Sequence, residues 1–470
     1  MTKVIGCRIR CFAYGVVLKR VRFIGYNIML HISYRPQHIG PSQRPQSLRH
    51  ALFVAFHYPP EASSSGVLRT LKYTRYLREF GWRVSVITLD PSAYSVLDAR
   101  LEQEIPSGTR VLRTRFLNTK RDLSIRGIYP ALLALPDVWI GWMPWAVAAG
   151  RRVIGSDPVD LIYSTSPHAT AHLVAWRLAA ICAKPWVTDF RDPWIEDPPE
   201  PGAPNGLIYR TVNRRLESLV VKRSDAIVTS TTYMRELMRK RYPDEPQAKI
   251  RAIFNGYDEA DFAHMHMRPS SRSSRLRIIH MGNINAAFRD PRPLFAALGR
   301  MLGRKQLTAS ELEIQFIGGG PYGDAPQVQS AIEDAGLSGR VSFLPRVPYE
   351  ASLRQLSGAD LLLLLQASDD TAGLVPAKLY EYLRAQKPTL ALVPTGAVTE
   401  VIAETGGGWT ADPSDAASLD MALAEIVHDW RADRLGTHCA DLDVLRRFDR
   451  RALTAELAAV FDGVCARKRA

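Results

Sequence analysis

Lys378 and Glu381, three residues apart, are the strongest candidates for chemistry in the sequence. They follow Pro376, which suits the start of a helix because the N–H that proline lacks would be unpaired there in any case. A cation in the first turn opposes the helix dipole by about 0.3–1 kcal/mol unless an anion lies beside it. Residues three apart share one helix face, so a single ligand can meet both charges. A nucleoside diphosphate fits the pair, because the ammonium would bind phosphate and the carboxylate would bind ribose hydroxyls.

An isolated Lys-x-x-Glu is also typical of a solvated surface ion pair, which contributes little to stability. The surrounding elements have to distinguish a ligand-binding site from such a pair. Apolar runs predict four strands here, at residues 276–281, 313–317, 361–365 and 389–393. Each run ends in a glycine-rich or polar loop, and two of those loops contain Gly282 and Gly318 to Gly320. The carboxyl ends of parallel strands lie along one edge, where glycines let backbone N–H groups approach phosphates. The convergence favours a phosphate-binding edge.

The first half of the chain repeats this architecture. A strand at 51–56, a loop of small residues, a helix at 67–80 and a strand at 84–89 predict the start of a second doubly wound parallel sheet. We therefore expect an α/β protein with two Rossmann-like domains.

Polar residues follow two later strands of this half. Thr165-Ser-Pro-His168 leads into a helix that carries His172, and Asp189-Phe-Arg-Asp192 follows the strand at 186–188. Two acids and an arginine are costly to bury unless they pair or bind something polar. Structural pairing and binding of a polar substrate both remain open.

The chain divides into five predicted segments. They are a basic extension at 1–48 that is disordered or results from a misplaced start, a first domain at 49–267, a linker at 268–275, a second domain at 276–440, and a helix at 441–470 that crosses back to the first domain.

Composition narrows the class of protein. Of the net charge of +14, nine positive charges lie in residues 1–60, which contain no acid, and such a segment suits an anionic membrane surface. Nucleic acid is a less specific alternative and is not expected as a partner. The five scattered cysteines indicate reduced thiols in a cytosolic protein. The sequence lacks a Gly-x4-Gly-Lys-Ser/Thr loop, which argues against a nucleoside triphosphatase.

Three tryptophans, Trp139, Trp142 and Trp145, precede Arg151 and Arg152. An apolar surface in a membrane interface and a packed core explain this stretch equally well.

The motifs together resemble the family-4 type of glycosyltransferases, and the resemblance runs from about residue 50 to 465. The segments that carry it are Tyr58-Pro-Pro with 63–66, 71–82, Thr165-Ser-Pro with His172, 189–194, 255–258, 280–282, 289–294, 318–321, and Pro376-x-Lys378-x-x-Glu381.

This resemblance implies the GT-B architecture, in which two Rossmann-like domains face each other across a cleft that holds the active site. It also implies a retaining transfer of sugar from a UDP-, GDP- or dTDP-sugar that needs no metal and no cofactor. The implied catalytic residues are Lys378, Arg289 and His172. The implied donor-binding residues are Gly282, Asn283, Gly318, Gly319, Gly320, Lys378 and Glu381. The implied acceptor-side residues are Gly66, His168, Asp189, Arg191 and Asp192.

Two positions depart from the family pattern. Gly373 stands where many relatives carry a second glutamate, and Asn283 stands where an arginine is usual. We expect Asp369 or Asp370 to reach the donor sugar instead.

The leading hypothesis is a cytoplasmic enzyme, peripheral on the inner face of the plasma membrane, that glycosylates a polyprenyl-linked saccharide during surface polysaccharide synthesis. A sugar-nucleotide epimerase or phosphorylase of the same fold is one alternative. A degenerate, membrane-associated partner of an active transferase is another, motivated by Gly373 and Asn283.

Overall fold

A computed structural model describes residues 48–64, 66–126, 129, 131–195, 206–263, 274–366 and 371–469. Residues 48–470 form one compact unit. The predicted basic extension, except for Leu48, lies outside the described residues, as do Asp369, Asp370 and most of the predicted linker.

The first sheet contains seven parallel strands in the order β3-β2-β1-β4-β5-β6-β7. Its strands are β1 (Arg49–Ala55), β2 (Trp82–Leu89), β3 (Arg110–Thr114), β4 (Leu161–Thr165), β5 (Trp186–Phe190), β6 (Ala226–Thr229) and β7 (Ile250–Ala252). The helices of this part are α1 (Gly66–Tyr76), α2 (Ala99–Gln103), α3 (Thr119–Asp122), α4 (Met143–Ser156), α5 (Ala169–Cys182), α6 (Leu207–Arg223), α7 (Thr232–Arg241) and α8 (Glu259–Phe262).

The second sheet contains six parallel strands in the order β10-β9-β8-β11-β12-β13. Its strands are β8 (Leu276–Met281), β9 (Leu312–Ile317), β10 (Val341–Leu344), β11 (Leu361–Leu365), β12 (Thr389–Leu392) and β13 (Gly408–Ala411). The remaining helices are α9 (Arg292–Gly303), α10 (Pro326–Asp334), α11 (Tyr349–Leu356), α12 (Ala377–Arg384), α13 (Ala397–Thr405), α14 (Ala416–Arg431), α15 (Leu442–Leu445) and α16 (Arg450–Arg469). Two doubly wound parallel sheets confirm the predicted fold class.

The five leucines of β11 show why an unbroken apolar run forms a central strand. Side chains alternate across a strand, so Leu361, Leu363 and Leu365 fill the core on one face of the sheet. Leu362 and Leu364 pack on the other face, against residues of α12 and α13. Because helices cover both faces, every position of the strand is buried.

The last helix, α16, packs on the first sheet. Leu457 and Phe461 are fully buried in the same cluster as Phe53 of β1 and Trp82 of β2. The helix α16 therefore returns to the sheet that contains β1 and ties the two halves together.

The strand order creates a topological switch point in each sheet. The chain reverses direction across the sheet between β1 and β4, and again between β8 and β11. In open α/β sheets ligands bind outside the carboxyl ends of the strands at such points. Among the predicted site residues, His168 follows β4, and Gly282, Asn283 and Arg289 follow β8.

The aromatic stretch contributes mainly to the core. Trp142 is fully buried and donates from Nε1 to Thr114 Oγ1 at 2.7 Å. Trp139 packs against Phe56, with 4.8 Å between ring centroids, whereas Trp145 is exposed. Within the described chain, no helix is both long enough and apolar enough to traverse a bilayer.

Candidate functional site

The end of β8 brings the backbone of Gly282 against the amine of Lys378. Gly282 has a φ of +105°, a conformation that favours glycine. A Cβ added there would collide with Lys378 Nζ. The lysine reaches this position from the first turn of α12, which begins after Pro376. A residue with a side chain at 282 would push the amine aside.

Three cations gather at this edge without an ion pair to a described acid. Lys378, Arg289 and Arg346 form no ion pair with any residue that the structure describes. Burial lowers the pKa of Lys378 to about 8, the positive charges of Arg289 and Arg346 add to the shift, and the negative charge of Glu381 opposes it. Burial also lowers the pKa of Arg289. Lys378 and Arg289 are partly buried, whereas Arg346 is exposed. Cations that lose water without gaining an ion pair are typical of a site that an anion fills.

The glycine loop after β9 closes beside these cations. Asn283 places its Oδ1 where a side chain at Gly320 would begin. The Ile284 N–H donates to Gly319 O at 3.0 Å. A Cβ at Gly318 would lie 3.6 Å from Arg346 Cβ. The structure therefore brings the predicted donor-binding residues into one neighbourhood.

Glu381 is not the partner of Lys378. Its side chain is 7% exposed, and Tyr349 Oη donates to its Oε1 at 3.0 Å. Burial raises the pKa of this carboxyl. Tyr349 Oη also lies 3.2 Å from Asp261 Oδ2, and its single proton can satisfy only one of the two carboxylates at a time. A solvated surface pair is thus not what the helix presents.

In the first domain, Asp189 is already paired. Its carboxylate is fully buried and receives two bonds of 3.0 Å from Arg69, Nε to Oδ2 and Nη2 to Oδ1, and one of 2.5 Å from Tyr163 Oη. Burial alone would raise the pKa of Asp189, but Arg69 and the hydrogen bonds outweigh it and hold that pKa below its usual range. For Asp189, the structure favours structural pairing over a contact with substrate.

Arg191, by contrast, forms no direct ion pair with a described acid, although the charges of Asp192 and Asp189 act on it. Its Nε donates to Ser166 O at 2.7 Å, and its guanidinium lies where a Cβ of Gly66 would be. Burial lowers the pKa of Arg191. Asp192 is half-buried, with its N–H 3.5 Å from Ser166 Oγ. Gly66, Arg191 and Asp192 therefore share the edge of this sheet.

The two predicted histidines have different environments. His172 is 1% exposed, contacts Ser164 Oγ through Nδ1 at 2.8 Å and stacks on Phe190. His168 immediately precedes α5, and its ring centroid lies 4.0 Å from that of Phe56 and 6.0 Å from that of His57. Burial lowers the pKa of both histidines to about 3. His172 is enclosed by the core, whereas His168 remains partly accessible.

Direct contacts bring the two sheet edges together. Thr231 Oγ1 donates to Gly373 O at 2.8 Å, and Arg346 Nη2 donates to Ala62 O at 3.3 Å. A Cβ at Gly373 would lie 2.8 Å from Cδ1 of Tyr233. A glutamate at position 373 would therefore clash with this tyrosine, which explains the glycine.

Sequence analysis missed four residues of this region: His57, Glu61, Arg346 and Tyr349. His57 and Glu61 lie in a loop that shows only turn residues, and a spacing of four signals a pair only on a helix. Arg346 and Tyr349 follow β10, a strand without a clear apolar run. No local pattern marks either pair.

The described residues include one group of potential metal ligands, formed by Glu425, Asp429 and His438. Asp429 already accepts hydrogen bonds from Arg434 at 2.6 Å and His438 at 2.8 Å. The group lies on and after α14, outside the loops at the switch points.

Comparison with known proteins identifies two domain families. The model described as "Glycosyl transferase 4-like domain" matches residues 66–256. The model described as "Glycosyl transferases group 1" matches residues 300–438. The probable glycosyltransferase WbjE of Pseudomonas aeruginosa is 26% identical over 234 residues, which cover 47% of this chain and 54% of that protein. The match thus spans about half the length of this curated relative.

Solved structures share the fold across nearly the whole chain. Sucrose-phosphate synthase from Thermosynechococcus elongatus superposes with a TM-score of 0.60 at 15% identity, covering 89% of this chain and 100% of that one. HepE of Anabaena, solved in complex with UDP, gives a TM-score of 0.60 at 16% identity, with coverages of 88% and 100%. These similarities support the two-domain architecture.

Proposed function

We propose that this chain transfers a sugar from a nucleotide-sugar to a saccharide acceptor. The chain is a glycosyltransferase that joins a glycosyl transferase 4-like domain to a glycosyl transferase group 1 domain on the GT-B fold. The chemistry takes place between the two sheet edges. Retention of the anomeric configuration is part of the proposal and rests on the family resemblance.

The unpaired cations carry this proposal. Lys378, Arg289 and Arg346 lack acidic partners among the described residues and border the glycine backbone after β8 and β9. A diphosphate would supply the missing negative charge. It gains further charge as the glycosidic bond breaks, so cations fixed in a site of low polarity stabilise the leaving group most in the transition state.

The other donor contacts are proposed from the family resemblance. Glu381, held by Tyr349 at 3.0 Å, would accept hydrogen bonds from the ribose. Asp369 and Asp370 would bind the hydroxyls of the sugar. Gly66 would allow the diphosphate to approach the first domain closely. No metal is needed in this scheme, because three cations already face the phosphates.

The related structures suggest which donor to test first. HepE was solved with UDP, with UDP and glucose, and with UDP-glucose. UDP-sugars are therefore the first candidates for this chain, followed by GDP- and dTDP-sugars.

A lipid-linked acceptor is the second part of the proposal. The first domain exposes large apolar side chains at Ile125 (77%), Leu132 (67%) and Leu207 (82%). Arg151 and Arg152 are exposed on α4 of the same domain. Apolar side chains and arginines exposed on one domain suit the headgroup region of an anionic membrane. We therefore place the enzyme on the cytoplasmic face of the membrane, acting on a polyprenyl-linked saccharide of a surface polysaccharide.

The experiment is a transfer assay that uses UDP-, GDP- and dTDP-sugars with polyprenyl-diphosphate saccharides as acceptors. Product mass gives the sugar, and NMR of the new linkage gives its anomeric configuration. Lys378→Met and Glu381→Gln should each lower turnover at least a hundredfold, while Lys305→Met, on an exposed lysine, should leave it unchanged. Normal turnover in Lys378→Met would refute the proposed donor site.

Asn283 and the clash at Gly373 favour one other function, that of a degenerate partner which binds a donor but transfers nothing. Donor binding without turnover on any acceptor would support it. Release of an altered nucleotide-sugar without an acceptor would indicate an epimerase.

A further inference from the structure

We infer that His57, oriented by Glu61, binds the hydroxyl of the acceptor that attacks the donor sugar. Glu61 is then a positioning residue that acts through the histidine. The inference rests on the proposed function and names an acceptor contact for that same cleft.

The carboxylate of Glu61 is fixed by donors on every side. It is fully buried, and its Oε1 accepts the N–H of Ser63 at 2.6 Å, the N–H of Ser64 at 3.2 Å and the hydroxyl of Ser63. Burial alone would raise the pKa of Glu61, but the bonds from His57 and Ser63 outweigh it and hold that pKa below its usual range. Glu61 is therefore an anion that can only accept hydrogen bonds.

This anion determines the tautomer of His57. The ring Nδ1 lies 2.9 Å from Glu61 Oε2, so Nδ1 carries the proton. The lone pair is then on Nε2, which makes no hydrogen bond to the described residues and is not enclosed by them. A neutral imidazole with a free, accessible Nε2 is an acceptor for a hydroxyl proton.

The charged and titratable groups that face His57 are Glu61, Arg191, Asp192 and His168. Burial and the positive charge of Arg191 lower the pKa of His57 more than Glu61 and Asp192 raise it. The ring is therefore neutral near pH 7, the form in which Nε2 accepts. Its aromatic neighbour Phe56, with 4.9 Å between centroids, restricts its rotation.

The loop that carries the pair touches both halves of the cleft. Ala62, next to Glu61, accepts a hydrogen bond of 3.3 Å from Arg346, one of the three unpaired cations. Gly66, at the other end of the loop, contacts the guanidinium of Arg191. The loop that carries His57 thus joins the anion-binding edge to the polar edge of the first sheet.

The His57→Asn variant separates this role from a structural one. Its amide N–H₂ can replace Nδ1–H as a donor to Glu61, but no atom remains at the position of Nε2. If His57 only supports the structure, the His57→Asn variant should have normal activity. We expect kcat to fall at least a hundredfold while donor affinity, measured by calorimetry with the UDP-, GDP- or dTDP-sugar that binds, stays within twofold.

The Glu61→Gln variant tests the tautomer. The amide oxygen can still accept from Ser63 and Ser64, and the amide N–H₂ then donates to Nδ1, which forces the proton onto Nε2. We expect a loss as large as that in His57→Asn, and the double variant should be no worse than either single one, because the two residues act as a unit. NMR of ¹⁵N-labelled histidine should show the exchanged tautomer.

A matched control is His438→Asn, which alters a histidine bonded to Asp429 at 2.8 Å in the second domain and should leave transfer unchanged. The acceptors are p-nitrophenyl glycosides and a polyprenyl-diphosphate monosaccharide. Transfer within twofold of wild type in His57→Asn, or additive losses in the double variant, would overturn the inference alone. Absence of transfer by the wild-type protein with every donor would overturn the proposed function and this inference with it.

Discussion

Lys378 shows how a residue that binds a ligand can weaken the protein that carries it. Its side chain is partly buried, and the positive charge of Arg289 acts on the ammonium more strongly than the negative charge of Glu381 does. Removing water from a cation without an acid to replace it costs free energy of folding. An anionic ligand offsets that cost only when it is bound.

Lys378→Met should therefore raise the free energy of unfolding of the free protein at pH 7, by about 1–3 kcal/mol. The thioether side chain occupies similar space and needs no counter-charge. Urea unfolding measures the change, with Lys305→Met as the control that should leave stability unaltered. A less stable Lys378→Met protein would mean that the lysine has an acidic partner.

The pKa of Lys378 also predicts how donor affinity depends on pH. With a pKa of about 8, the amine is mostly charged at pH 7 and mostly neutral at pH 9. A bound diphosphate raises that pKa, so affinity should fall on the alkaline side, approaching tenfold per pH unit. Without ligand the sign is opposite: the pKa is lower in the folded state, so stability should rise between about pH 8 and 10.5. Calorimetric titrations of the donor from pH 7 to 10 measure the first effect, and a flat profile would argue against a charged lysine in the site.

The buried pair of Arg69 and Asp189 makes a contrasting prediction. Asp189→Asn should destabilise the protein by about 3–5 kcal/mol, because it leaves a buried guanidinium without its counter-charge. Asp420→Asn is the control, since Asp420 also pairs with an arginine, Arg300, but near the surface, and should cost under about 1 kcal/mol.

Acid unfolding adds a second test of the same pair. The pKa of Asp189 is below its usual value in the folded protein, so its contribution is present above about pH 3.8 and is lost as the pH falls below it. Equal stability of Asp189→Asn and Asp420→Asn would show that burial of the Arg69–Asp189 pair does not determine how much it contributes to stability.

At the scale of elements, α16 supplies part of the hydrophobic core of the first domain. Phe461 contacts the rings of Trp82 at 5.3 Å and Tyr163 at 5.8 Å. Phe461→Ala should cost about 3–5 kcal/mol of stability. Met421→Ala, on the exposed face of α14, should change it by less than about 0.5 kcal/mol. Urea unfolding of both variants measures this, and similar stabilities would show that α16 contributes little to the core.

The same scale shows which elements a sequence can reveal. The central strands β8 and β11 appear in the structure with the predicted bounds, because burial on both faces requires an unbroken apolar run. The strands β3, β10 and β13 were not predicted. They lie at sheet edges and are partly solvated or contain glycine, so their composition resembles that of a loop.

The features of the candidate site likewise differ in whether the sequence alone reveals them. Lys378 was visible because a helix start and a charge leave a local pattern. The pairing of Asp189 with Arg69 was not, because the two residues are 120 positions apart and only the folded sheet joins them. The pairing of Glu381 with Tyr349 likewise depends on how α11 packs against α12. Contacts between distant segments leave no local signature.

At the scale of the whole molecule, a polar network joins the two halves. Lys72 of α1 contacts Asp258 at 2.7 Å and Asp261 at 3.0 Å, and Asp261 shares Tyr349 with Glu381. A ligand that bonds to Glu381 would therefore compete for the hydroxyl that links this carboxylate to α8. A donor bound to Glu381, as proposed, would therefore act on the contacts that join the two halves.

The most direct test of the account is thermal stabilisation of the full chain by UDP-, GDP-, dTDP- and ADP-sugars. At about one hundred times its dissociation constant, a donor should add roughly 2.7 kcal/mol of stability. We predict a shift with one nucleotide series that Lys378→Met abolishes and Lys305→Met preserves. No shift with any donor, or an equal shift in Lys378→Met, would contradict a nucleotide-sugar site at the unpaired cations.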